Sequence, residues 1–439
     1  MPELLLHESL PYLESAPFSA DHCLKCNICT QACPVAPVTD LFPGPKTVGP
    51  QAQRFRDSDL PSPDHSVEYC SSCGICTLVC PHGVRVMEIN TRAKAELQKA
   101  KGFTFRGWLL GHNAWWGRLG TPFAPLLNWL FTFKPFRWLT EKLMGISQRA
   151  AFPKWAGYTF RGWWKRREKR LAVANTKARH ENRPEVVYYH GCSINTYEPR
   201  LGKLAVQILE HNGFRVIVPP QACCGLPLQS NGLFDEARQW AKINGDSLAD
   251  YARRGVPIVG TAGSCIMALK GDYEHILDMH DENTKALSRG VFEISEFLMR
   301  LYHEGRLKTD FRPIEQFEAE YRDVLSADRS IPYHAPCQLK AHGMGRPALD
   351  LLDLIPGIRA VEIDADCCGI AGTYGFKAEK RQIAEDVGAH LFKRIRESGA
   401  KLAVCDTETC RWHIAQMSGV RLVHPIEILA QAYGITPDA

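Results

Sequence analysis

The chain has 439 residues, 45% of them hydrophobic, and a formal net charge of +5, a length sufficient for two or three domains with real cores. Seventeen cysteines, an odd number that includes the adjacent pairs Cys223-Cys224 and Cys367-Cys368, exclude a secreted disulfide scaffold and point to thiols kept reduced as metal ligands. The first residues, MPELLLHESLPYLES, have neither a basic leader nor a full apolar stretch, so no signal peptide is expected.

Two cysteine runs come first in chain order: Cys23-x-x-Cys26-x-x-Cys29-x-x-x-Cys33-Pro34 and Cys70-x-x-Cys73-x-x-Cys76-x-x-x-Cys80-Pro81. This is the bacterial-ferredoxin spacing for 4Fe-4S clusters, in which the fourth cysteine of each run ligates the other run's cluster. Two intervening residues let the backbone curl round one face of a cube, so that three thiolates reach three irons. The longer gap and the proline, which ends the turn, send the fourth cysteine across. The expected sets are Cys23, Cys26, Cys29 and Cys80 on one cluster and Cys70, Cys73, Cys76 and Cys33 on the other. A pair of structural zinc knots is the plainer alternative, since thiolates suit zinc as well as iron. Between the runs, the Pro/Gly-rich stretch 35–65 reads as a loop ordered by packing, and a helix is predicted over 89–100.

Residues 102–164 differ in kind. They carry eight of the ten tryptophans: Trp108, Trp115, Trp116, Trp129, Trp138, Trp155, Trp163 and Trp164. From Lys101 to Arg170 there are fourteen Lys/Arg against two acids, a net +12 that leaves −7 for the remainder. The longest uncharged run, 119–133, has fifteen residues and contains Pro122 and Pro125. Crossing a bilayer takes roughly 20 apolar residues, so it does not span. Tryptophan beside Lys/Arg suits an in-plane helix pair on an anionic leaflet. The same aromatics could equally pack against a partner protein or the chain's own domains. A basic linker, 165–183, follows.

Beyond Pro184 the sequence repeats. Cys192/Cys337, Cys223/Cys367, Cys224/Cys368 and Cys265/Cys410 are offset by 145, 144, 144 and 145 residues. A period held across three separate motifs indicates duplication. In the first copy strands are predicted at 186–189, 214–218 and 257–260, with helices at 199–211 and 233–253. In the second, 358–363 and 401–404 read as strands and 378–397 as a helix. That order implies a parallel α/β sheet in each copy, with the cysteines at the carboxyl edges of strands, where such sheets carry ligands. The charged stretch 304–329 is expected to separate the lobes. The overall expectation is α/β. Residues 1–100 form a two-cluster ferredoxin-like domain and 101–183 a basic, Trp-rich helical connector. Residues 184–304 and 330–439 form two repeated lobes.

Each lobe offers one thiol after its first strand, an adjacent pair before a glycine (Gly225, Gly369), and one after its third strand. Neighbouring cysteines bridge each other only with strain, but both reach a metal if the glycine lets the backbone turn closely. Cys192, Cys223, Cys224 and Cys265 are therefore candidate ligands in the first lobe, and Cys337, Cys367, Cys368 and Cys410 in the second; iron-sulfur and zinc both fit. His190 and His334, just before the first cysteines, are either hydrogen-bonded loop residues or proton-handling groups behind the ligands. No glycine fingerprint, P-loop or nucleophile elbow occurs in a strand-to-helix context, so no substrate active site is expected and electron passage is the chemistry the chain can support. A scaffold whose lobes are organised by zinc and only bind partners is the reading from another class.

A two-cluster ferredoxin unit joined to a duplicated CCG domain resembles a family of iron-sulfur subunits. It includes heterodisulfide reductase subunits, subunits of glycolate and lactate oxidation systems and, most similar here, the C subunits of anaerobic glycerol-3-phosphate dehydrogenases. The resemblance is carried by the first cysteine run, Phe42-Pro43-Gly44-Pro45-Lys46 with Gly49-Pro50, Thr121-Pro122-Phe123-Ala124-Pro125, His190-Gly191-Cys192, and the stretch from Cys367-Cys368-Gly369 through Tyr374-Gly375. It implies two 4Fe-4S clusters, further iron-sulfur or zinc in the lobes, a flavoprotein partner, and electron delivery to menaquinone. It also implies peripheral attachment at the cytoplasmic face of the inner membrane; no nucleic-acid partner is expected. Subunits of glycolate or lactate oxidation, or a heterodisulfide-reductase-like system, are the alternative. One departure stands out. CCG domains commonly close with Cys-x-x-Cys, but the earlier position is Ala262 in the first lobe and Thr407 in the second. Cys405 supplies a fifth thiol to the second lobe if its strand end bends inward.

Overall fold

The computed structural model describes residues 18–56, 64–173, 183–322, 324, 330–365 and 367–436. The amino-terminal stretch read as lacking a leader and the end of the basic linker lie outside these.

The duplication is plain in the topology. Strands β1 (Glu185–Tyr189), β2 (Arg215–Ile217), β3 (Ile258–Gly260) and β4 (Val291–Glu293) form a parallel sheet of order β2-β1-β3-β4. Strands β5 (Ser330–His334), β6 (Arg359–Glu362), β7 (Leu402–Cys405) and β8 (Arg421–Val423) form a second of order β6-β5-β7-β8. The central strands read as unbroken apolar runs because helices cover both faces of each sheet. The fourth strand of each lobe was not foreseen: three residues carry too little pattern to separate a strand from a helix start. Matching side chains close the two sheets. Tyr188 Oη lies 2.9 Å from Thr261 Oγ1, and the equivalent Tyr333 hydroxyl donates to Asp406 at 2.7 Å. The helices after β4 and β8 are each started by a reciprocal capping box, Glu293 with Glu296 and His424 with Glu427, which satisfies first-turn amides that would otherwise be orphaned.

One core runs through both lobes, from Val186, Leu204 and Leu298 in the first to Leu351, Val404 and Leu429 in the second. The stretch expected to be a charged spacer contributes to it. Ile314, Phe317 and Tyr321 are buried in this core, and the Arg312 amide donates to the Ala432 carbonyl at 2.7 Å. Charge is confined to the residues between these anchors.

The amino-terminal unit contains the short helices α1 (Ile28–Gln31) and α2 (Ile75–Leu78) and the longer α3 (Val86–Lys101). It packs on both lobes. Val48, Val67 and Leu97 share a cluster with Tyr374 and Ile383 of the second lobe, and Val84 and Ile89 meet Ile276 of the first. The connector folds as α4 (Phe105–Gly111), α5 (Asn113–Gly120), α6 (Ala124–Leu130), α7 (Lys134–Met144) and α8 (Phe160–Val173). Arg106 makes two 2.8 Å bonds to Glu379, Arg149 pairs with Glu385 at 2.8 Å, and the Ser147 amide donates to the Phe376 carbonyl at 2.8 Å. One side of the connector is thereby fixed to the second lobe.

On helix α8 the aromatics pack against the chain's own domains, one of the readings the sequence leaves open, while Lys165 onward, expected as a linker, continues the helix to Val173. The i, i+3, i+4 spacing of Phe160, Trp163 and Trp164 puts them on one helix face, buried in the core beside Tyr188. Arg167 on the same helix stacks over both tryptophans and pairs with Glu210 at 2.6 Å. The basic residues are the solvent side of an amphipathic helix.

Candidate metal-thiolate centres

The two cysteine runs fold alike. Each second cysteine is flanked by left-handed residues, Lys25 (φ 61°) and Asn27 (φ 70°) in the first run and Ser72 (φ 55°) and Gly74 (φ 86°) in the second. That backbone is costly for most side chains, and it bends each loop round the space its thiols enclose. Four non-regular residues at equivalent positions were not anticipated; only Gly74 and Asn27 carry a sequence signal for them. Gly74 also lies against Ala341 of the second lobe, where an added Cβ would collide.

Cys29 lies within electrostatic reach of Cys23, Cys80 and Cys26, and these four line a small cavity of about 20 Å³. Cys33 faces Cys70, and Cys76 faces Cys73, Cys70 and Cys33. Members of each expected crossed set are thus neighbours, and Cys367 of the second lobe lies near Cys33 and Cys73 as well. They differ in exposure: Cys26 is open to solvent, whereas Cys33, Cys70, Cys73 and Cys76 are buried. Burial pushes the Cys33 thiol up to about 11 and lifts Cys73 and Cys76 well above the ordinary thiol value. Thiolates in such surroundings need positive charge to form, which the irons of a cluster held by these cysteines would provide. The amide of Val84 donates to Cys80 Sγ at 3.4 Å and that of Ser72 to Cys70 Sγ at 3.5 Å, contacts that favour thiolate ligands.

In the first lobe Cys192 and Cys223 have their sulfurs 3.5 Å apart, and Cys224 and Cys265 theirs 3.3 Å apart. In the second, Cys337 and Cys367 are 3.9 Å apart, and Cys368 hydrogen-bonds with Cys410. Among the described residues no three His, Cys, Asp or Glu side chains are grouped to hold one metal ion; the thiols instead follow one another in a chain of contacts, Cys192 to Cys223 to Cys224 to Cys265 in the first lobe and Cys337 to Cys367 to Cys368 to Cys410 to Cys405 in the second. Although the hydrogen bond from Cys224 opposes it, burial holds the Cys265 thiol up, at about 12. Cys367 goes the other way: hydrogen bonds with Cys337 and Cys368, joined by the Gly369 amide at 3.3 Å, hold it well down. The glycine after each pair is required. Gly225 and Gly369 are left-handed (φ 83° and 85°), and a Cβ on Gly369 would run into the Ala384 carbonyl.

Cys192, Cys224, Cys265, Cys337, Cys368 and Cys410 all line one cavity of about 610 Å³ between the lobes and the connector. Cys73 and Cys367 line it too, and Cys73 lies within electrostatic reach of both Cys367 and Cys337. The buried amino-terminal set thus abuts the second lobe's thiols. Cys405 ends β7 in register with His334, fully buried, and is not part of the cavity wall. Its thiol lies 3.9 Å from the Thr407 carbonyl and hydrogen-bonds with Cys410, which does line the cavity. His190 and His334 also lie behind the wall. Burial lowers them to about 3 and about 4, so both are neutral; His190 Nδ1 sits 2.6 Å from the Gly191 carbonyl.

The lobes are clamped across this cavity. Glu198 of the first lobe binds Arg411 and accepts from Trp412 Nε1 at 2.8 Å, and His424 Nε2 lies 2.9 Å from the Thr261 carbonyl. Sequence reasoning missed these contacts, which join positions some 160 to 210 residues apart.

The family model described as a 4Fe-4S dicluster domain matches residues 19–84, and that described as a cysteine-rich domain matches 186–270 and 331–415. The C subunit of anaerobic glycerol-3-phosphate dehydrogenase from Escherichia coli K12 is 36% identical over 94% of this chain and 98% of its own. The D subunit of the dihydromethanophenazine:CoB–CoM heterodisulfide reductase of Methanosarcina barkeri is 27% identical, covering 68% of this chain and 71% of its own. Lactate utilization protein A of an Exiguobacterium strain is 25% identical over 56% of this chain and 97% of its own. With cysteine sets at the ends of two duplicated sheets and a dicluster unit joined to them, the chain belongs to the family of anaerobic glycerol-3-phosphate dehydrogenase C subunits, the iron-sulfur electron-transfer members of these dehydrogenases.

Proposed function

We propose that the chain carries two 4Fe-4S clusters at its amino-terminal thiol sets and relays electrons from a flavoprotein that oxidises glycerol 3-phosphate to menaquinone at the cytoplasmic face of the inner membrane. One observation supports this above others: one thiol set reaches solvent at Cys26, and the other adjoins the second lobe, where buried Cys73 lies within electrostatic reach of Cys367 and Cys337. Bound clusters supply one-electron carriers. In this reading the chain's own residues would set their order. The exposed set marks the face a flavoprotein would approach, while Gly74 against Ala341 keeps the buried set close to the second lobe.

None of the described helices is long and apolar enough to cross a membrane. The outer side of α5 to α7 exposes Trp115, Trp129, Phe133, Trp138 and Leu143 among the basic residues of the connector, a combination suited to an anionic lipid surface. The likeness to lactate utilization protein A supports a second reading in which the donor is a lactate-oxidising flavoprotein; the flavoprotein that co-purifies from native membranes separates the two.

Anaerobic purification with iron and sulfide counting should give at least about eight irons per chain; a colourless protein without inorganic sulfide defeats the reading. In the assembled complex, Cys26→Ser or Cys73→Ser should lower quinone reduction and leave flavin reduction by substrate intact. Equal loss of both would refute the order of transfer.

A further inference from the structure

Part of the cavity between the lobes and the connector is not metal chemistry. Leu127 and Phe131 from α6 and its end, Phe152 and Trp155 from the segment before α8, and Leu109 from α4 give it an apolar wall. The whole cavity, its thiol-lined part included, measures about 610 Å³, within the range of sites that enclose organic ligands. Leu119 and Phe123 line it and yet are 62% and 60% exposed, so they form its mouth. That mouth opens within the exposed apolar face that continues through Leu126, Trp129 and Phe133. A hydrophobic entrance set in a hydrophobic surface favours a ligand arriving from lipid.

The wall has one polar anomaly. Gln229 is 2% exposed, lines the cavity, and neither its amide nitrogen nor its carbonyl oxygen has a hydrogen-bond partner among the described residues. Leaving both atoms of a buried amide unsatisfied is costly, and a ligand with polar atoms would relieve that cost. Gln229 ends the helix Leu226–Gln229 that begins just after the Cys223-Cys224-Gly225 turn and packs on α4. It therefore stands where the thiol-bearing and apolar parts of the wall adjoin.

We infer that this cavity is the acceptor site, binding an isoprenoid quinone with its ring at Gln229 beside the lobe thiols and its tail leaving along α5 and α6 between Leu119 and Phe123. The inference rests on the electron-acceptor reading above and adds to it the place and the contacts. The Gln229 amide N–H donates to a ring carbonyl, and its carbonyl oxygen accepts from the hydroxyl formed there. Reduction consumes two electrons and two protons: both ring carbonyls become hydroxyls. The electrons come from the chain's reduced iron-sulfur centres, refilled by the flavoprotein, and the protons from water at the mouth.

The test uses the full, iron-loaded chain under anaerobic conditions. A photoreactive menaquinone analogue should label peptides within 105–155 and 226–231. Binding of 2-heptyl-4-hydroxyquinoline N-oxide, followed by its fluorescence, should weaken about tenfold in Gln229→Leu, which removes two hydrogen-bonding atoms from a closed site, and at least as much in Leu127→Trp, which fills the wall. The comparison is read from whichever variant keeps wild-type iron content, and the labelling of the wild type stands without either. Labelling confined to other peptides, or wild-type affinity in an iron-replete variant, overturns the site. If wild-type protein reduced with dithionite is reoxidised by menaquinone in liposomes despite that result, the acceptor reading survives and only the location fails. Absence of reoxidation removes both.

Discussion

Asp272 shows how one residue's surroundings set its charge. It lies in the wall of the large cavity, 5% exposed, with Glu88 close enough to repel it and His342 Nε2 3.9 Å away. Burial, helped by Glu88, holds the carboxyl up to about 7, and burial lowers His342 to about 4, so the imidazole brings no charge to offset it. In an unfolded chain the same carboxyl titrates near 3.9, the ordinary value for aspartate, to within about a unit. Between these values the native state keeps a proton that the unfolded chain has released. The stability tied to neutral Asp272 is therefore complete below about pH 4 and drains away as pH rises to about 7. Asp272→Asn should narrow the difference in thermal midpoint between pH 5 and pH 8, with the variant gaining at the higher pH. An unchanged difference in scans of the iron-loaded protein would mean that Asp272 is ionised in the fold.

At the scale of an element, the aromatic connector divides into parts with different work. Trp163 on α8 is 2% exposed and packed in the joint core, while Trp129 on α6 is 62% exposed. Truncating a buried tryptophan costs about 3–5 kcal/mol, through lost burial and the cavity left behind, and here it also strips the stacking partner of Arg167. Trp163→Ala should lower the thermal midpoint by many degrees. Trp129→Ala should leave it within a degree or two and instead weaken co-sedimentation with vesicles of anionic lipid. The reverse pattern would exchange the roles of α6 and α8. Composition could not separate them, because both stretches hold tryptophan in a basic segment. The i, i+3, i+4 spacing of Phe160, Trp163 and Trp164 was legible, but only the neighbouring sheet shows that this face has something to cover.

For the whole molecule the governing feature is the closure of two duplicated lobes on one cavity. Glu198 makes that closure polar: it holds Arg411, which is nearly inaccessible, and Trp412 from across the gap. Removing the carboxylate takes one counter-charge from a buried guanidinium that still donates to the Cys405 carbonyl and lies near Glu408 and Glu427, so the loss should fall below the roughly 3–5 kcal/mol of a buried pair broken outright. Glu198→Ala should lower the midpoint and speed proteolysis between the lobes, whereas Glu198→Gln, which still accepts hydrogen bonds, should lose less. Equal behaviour of the two variants would show that the contact contributes shape and not charge.

The cysteine spacings and the repeat near 145 residues determined much by themselves: a dicluster unit, two like α/β lobes, and thiols at the carboxyl ends of strands. These are local facts, because a run such as Cys70-x-x-Cys73-x-x-Cys76 sets its own backbone, and a duplicated pattern folds twice. The tertiary structure alone decided which sets adjoin. Cys73 meets Cys367 only because α2 rests on the helix after β5, and Cys405, in register with His334 at the end of β7, stays out of the cavity wall while its thiol touches Cys410. The orphaned amide of Gln229 and the mouth at Leu119 and Phe123 belong to the same class. They depend on where three separately coded units come to rest against one another, and no stretch of sequence contains that distance.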